Sequence, residues 1–189
     1  MAGAYAVFFT VNKAINVNAP IAAAGSASGD PMEFMSRIIM QTRSIVSSGT
    51  VQSPLATSVP VPSGAPQNPT DYGLAVSTDR IPFNGSWELN YFHVDASAPS
   101  VLKWDGWVYD DNNQLIGSRR GTWTMSRAIT NIASVQPLFT YLGSNNTTLT
   151  TASDRARLTQ SVKVTLTVTG PDGNTTTDSR VISRRNLPQ

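Results

Sequence analysis

The chain has 189 residues, no cysteine, a single histidine and a formal net charge of +2. That length suits one sizeable core, and the missing thiols exclude disulfides, zinc–thiolate sites and cysteine nucleophiles. Charge is unevenly placed, five basic and nine acidic groups in residues 1–118 against nine and three in residues 119–189, which suits a polyanion-facing surface, subunits of complementary charge, or ordinary solvated strand faces.

Ala2–Val17 begins as an apolar run with Tyr5, Val7, Phe8, Phe9 and Val11 and turns amphipathic afterwards. It is shorter than the roughly 20 apolar residues that span a bilayer and lacks the basic start of a secretory signal. Its pattern fits the lower part of a membrane helix, a helix buried against a partner, or an aromatic strand. After a flexible 19–29 stretch, Asp30, Pro31 and Glu33 form a helix-start signature, a cap, a preset φ and the far half of a capping box. Met32, Met35, Ile38, Ile39, Thr42, Ile45 and Val46 then fall at helical spacing up to Gly49, so the spacing predicts a helix over 31–47 packed on a sheet. The expected division is a helical region over 1–49 and a globular β domain over 50–189.

Five prolines make 51–70 an extended loop with at most an edge strand. Short apolar runs then return at the spacing of a meander: 73–76, 86–94, 101–109, 114–125 and 135–142. In Trp87–Val94 the alternation puts Trp87, Leu89, Tyr91 and His93 on one face and Glu88, Asn90, Phe92 and Val94 on the other, the pattern of a central strand. Leu158–Thr169 alternates Val162, Val164, Leu166 and Val168 with Lys163, Thr165 and Thr167, and a Gly-Pro-Asp-Gly turn returns the chain through Thr176–Arg184 as a hairpin.

Chemistry is sparse. His93 has Asp95 two residues on, yet no nucleophile elbow accompanies the pair, so a packed histidine is the expected reading. Asp110–Asn113 offers oxygen ligands to calcium, but its spacing is that of a turn and no Glu closes a bidentate site. The basic candidates are Arg119, Arg120, Arg127, Arg155, Arg157, Arg184 and Arg185, which a solvated strand face would also explain, and Arg119, Arg120, Arg184 and Arg185 are the candidate polyanion contacts. No phosphate-cradling glycine motif occurs, and neither a cofactor, a metal nor a small-molecule substrate is expected.

The segment 154–188, an arginine-bearing stretch leading into a Val/Leu/Thr strand, a turn, a Ser/Thr-rich return and Arg185-Asn186, resembles the end of minor type IV pilins and pseudopilins of the PilW/PulJ type. Residues 89–121 are similar to the middle β region of the same family. The resemblance implies an α+β fold, an N-terminal helical spine on an antiparallel β head. It implies a structural subunit that assembles into, primes or caps a surface filament, anchored in the inner membrane beforehand. Other pilin subunits and the membrane assembly machinery would be its partners, with Tyr5, Val7, Phe8, Phe9 and Val11 as the assembly interface. The chain departs from the family in lacking the Gly-Phe-Thr-Leu-x-Glu processing motif and most of the membrane span. A viral coat subunit and a DNA-binding or adhesive tip pilin are the alternatives.

Overall fold

The computed structural model describes residues 31–78, 86–116, 121–169 and 173–185. Ala2–Val17, the capping Asp30, and Arg119 and Arg120 lie outside them.

Helix α1 spans Pro31–Met40 and ends well short of residue 47. Gln41 N–H closes its last turn on Ile38 C=O at 3.1 Å, and Thr42–Ile45 becomes strand β1. The helical spacing of Thr42, Ile45 and Val46 is coincidental, because these β-branched residues gain more from a ladder than from another helical turn. Ile45 pairs with Val76 and Thr42 with Thr78. Gly49 serves the turn into β2 (Thr50–Gln52) at φ +72°, where any Cβ would run into the Gln67 side chain. β3 follows at Ser58–Pro60 and pairs with β2 inside the proline-rich segment.

The main sheet adds β4 (Gly73–Thr78), β5 (Trp87–Asp95), β6 (Ala98–Tyr109) and β7 (Gly121–Ser126) in the order β1-β4-β5-β6-β7, antiparallel throughout. A second sheet has the order β10-β9-β8, from β8 (Phe139–Leu142), β9 (Ser161–Thr169) and β10 (Thr175–Ser183). Helix α2, Ala152–Leu158, precedes β9 and is capped by the Thr151 hydroxyl, which accepts from Asp154 N–H at 3.1 Å.

One core joins the inner faces of both sheets: Leu74, Val76, Phe92, Leu102 and Trp104 on one side, Phe139, Tyr141, Val162, Val164 and Ile182 on the other. Helix α1 contributes Met32, Phe34, Met35 and Ile39 to the same core. Phe34 sets its ring edge-on to Trp104, centroids 4.7 Å apart, while Glu33 reaches Arg180 of β10 at 3.3 Å. At ten residues the helix is about 15 Å long, a plug within a β protein. The expected helical spine on a β head is therefore corrected: the architecture is antiparallel sheets with two short α-helices among the described residues. What overrode the helix pattern was strand pairing, which claimed residues 42–45.

The outer face of the main sheet is covered near β1 by the β2–β3 hairpin, so that Val46, Val51, Val59, Trp87, Leu89, Trp107 and Tyr109 form a second cluster. Burial on both faces explains the aromatics on both sides of β5. On the second sheet, Thr165 and Thr167 are buried although the alternation assigns them to water. Along Thr165–Thr169, β9 is flanked by β10 on one side and by segment 128–138 on the other. Asn131, fully buried, donates its amide to Thr165 C=O at 2.7 Å and accepts from Thr167 N–H at 3.0 Å, so that a side chain completes the ladder where no strand does.

Candidate functional site

Two groups of chemistry-bearing side chains stand out. The first is on the outer face of the main sheet, beside the second cluster, against which Tyr91 packs. His93 Nε2 lies 2.9 Å from Asp105 Oδ2, Asp105 being fully buried, and His93 Nδ1 faces Val94 C=O at 3.2 Å. Tyr91 stacks on the imidazole at 4.3 Å with the planes 11° apart. Asp95, the carboxylate that sequence spacing assigned to His93, is turned to Lys103 instead, and its other contacts come from Ser97 N–H and Oγ. The Lys103 hydrogen bond, followed by those from Ser97, holds the Asp95 carboxyl far below the usual range. Residues 93 and 95 share a face but lie nearly 7 Å apart along the strand, whereas β6 brings Asp105 in diagonally beside Lys103, the direct partner of His93.

The second group is a cleft of about 560 Å³ between β1, the β2–β3 hairpin and the α2–β9 junction. Arg43, Arg157 and Arg184 line it, with Ser47, Thr50 and Gln160 among the polar neighbours. Arg184 follows β10 in register, its N–H bonded to Gln160 C=O at 3.0 Å. It therefore continues the inward series of Thr176, Asp178, Arg180 and Ile182 and is turned inside, 7% exposed. Its Nη1 donates to Thr159 C=O at 2.8 Å and its Nη2 to Arg43 C=O. Burial pulls its pKa down to about 10, so the guanidinium stays charged at neutral pH.

Of the four arginines named as polyanion contacts, Arg184 is thus interior, Arg185 is exposed with its N–H on Met40 C=O, and Arg119 and Arg120 lie outside the described residues. Asp110–Asn113 is held by turn bonds: Asp110 Oδ1 accepts from Asn112 N–H at 2.9 Å and Gln114 N–H at 2.7 Å, and Asn113 Oδ1 accepts from Trp87 Nε1 at 3.0 Å. Among the described residues no three His, Cys, Asp or Glu side chains cluster as metal ligands. Arg157 was among the basic candidates, and Arg43 carried no signal by spacing. Arg184 did, since it stands two residues after the buried Ile182 on the same alternation.

Compared with known proteins, the chain matches no family model, no curated protein and no solved structure.

Proposed function

We propose that this protein is a structural subunit, the building unit of a shell or coat, that assembles with copies of itself and catalyses no reaction. The filament role implied by the resemblance requires a helical spine, and the described residues supply an interior helix in its place. The proposal therefore takes the coat subunit of the two assembly classes. Strand β10 carries it. β10 is the edge of its sheet, nine residues long, and most of it is exposed. An edge of that length is a template for another strand.

The sequence of β10 is suited to its own copy. If two copies pair antiparallel about Ser179, Asp178 of each stands opposite Arg180 of the other on the inner face, and Thr177 opposite Val181 on the outer one. The same inward charges disfavour pairing in other registers, where like charges meet. The apolar run at Tyr5, Val7, Phe8, Phe9 and Val11 supplies a second contact, since such a run tends to find a partner surface.

The test is the association state of the full chain by sedimentation. Asp178→Arg and Arg180→Asp should each weaken self-association about tenfold, and the double exchange should restore it, because opposite charges again face one another across the two-fold. A strictly monomeric protein, or single and double variants that associate equally, would overturn the proposal.

A further inference from the structure

The arginine cleft is not explained by assembly through β10, and its chemistry points elsewhere. Three arginines line it and no Asp or Glu does. Arg184, buried, has no carboxylate partner among the described residues. Its carbonyl contacts fix the orientation of the fork without neutralising the charge, and its Nε, also buried, has no hydrogen-bond partner. A buried cation without a counter-charge is costly, and an unfilled buried donor adds to that cost. An anion with several acceptor oxygens in the cleft supplies the missing counter-charge.

We infer that this cleft is a binding site for a small phosphate-bearing ligand, its phosphate taken by Arg184 with Arg157, and the rest of the molecule held against Ser47, Thr50 and Gln160. Guanidinium forks match phosphate oxygens in geometry as well as charge. The volume, about 560 Å³, is that of a site for a whole small molecule and exceeds what a lone ion needs. Its hydroxyl and amide lining suits a polar moiety such as a sugar. Arg157, exposed on α2, stands at the mouth, and Arg184 forms the interior end.

The probe is inorganic phosphate, added to the full-length chain at constant ionic strength, with chloride and citrate as parallel arms and melting temperature as readout. Phosphate should give a saturable rise of roughly 5–10 °C at a hundredfold Kd, while chloride gives none and citrate less. Arg157→Ala should cut the affinity at least tenfold, and Arg185→Ala, exposed outside the cleft, should leave it unchanged. Arg184→Met should abolish the response. If that variant does not fold, Arg157→Ala alone decides. An equal response in wild type and Arg157→Ala, a shift reproduced by chloride, or a response to citrate as large as that to phosphate would overturn the inference.

Discussion

Asn131 shows how much one side chain can determine here. Its amide does for β9 what a neighbouring strand does elsewhere, satisfying one carbonyl and one N–H in a place closed to water. Asn131→Leu should cost about 2–4 kcal/mol, since both backbone groups keep their desolvation and lose their partner; urea denaturation measures it, and a loss below 1 kcal/mol would mean that water replaces the amide. Tyr141 plays a similar part between the sheets. Its hydroxyl donates to Thr70 and Gly73 carbonyls, both at 3.0 Å, under the Arg155 guanidinium. Burial, opposed by Arg155, raises the Tyr141 phenol well above the tyrosine range, and burial pushes Tyr109 up to about 12. For an acid with a raised folded pKa the neutral form belongs to the native state, so the unfolded chain releases protons first as pH rises. Stability should therefore be level below about pH 10 and fall between 10 and 12. Melting temperatures across that range test this, and the fall should be shallower in Tyr141→Phe, measured against its own value at pH 8.

At the level of single elements, α1 is instructive because its pattern was read with the right face and the wrong length. The spacing of Met32, Met35 and Ile39 correctly predicts an inward stripe, and all three are fully buried. Ile38, placed on that stripe, is only half-buried, whereas Phe34 is buried between Phe92 and Trp104. Truncation to Ala should rank accordingly. Phe34→Ala is expected to cost about 3–5 kcal/mol, Ile39→Ala about 2–4, and Ile38→Ala clearly less. Equilibrium unfolding of the three variants checks the order; an Ile38 loss equal to that of Ile39 would contradict the placement of the helix. The strand faces were easier to read. Alternation along β5 assigns each residue to the face it occupies, because a strand fixed in a sheet has no other freedom than which side is which. Thr165 and Thr167 break the rule on β9, where hydroxyls pair across to β10, Thr165 with Ser179 at 2.9 Å and Thr167 with Thr177 at 3.2 Å. A buried threonine needs such a partner, and which residue stands opposite depends on register.

For the molecule as a whole, local pattern determined most of the strands, the turn at Asp110–Asn113 and the presence of a helix from Pro31. These are short-range quantities, decided by φ preferences, side-chain periodicity and the reach of a side chain to its own backbone. What the sequence left open was every choice made between distant segments. Whether Thr42–Ile45 is the last turn of a helix or an edge strand depends on β4 being there to pair with it. Whether His93 meets Asp95 or Asp105 depends on the β5–β6 register, and whether Arg184 and Arg157 line one cleft depends on α2 packing beside β1. Free energies of such long-range contacts exceed the few tenths of a kcal/mol per residue that separate helix from strand propensities, so tertiary pairing decided these cases and the local signal did not.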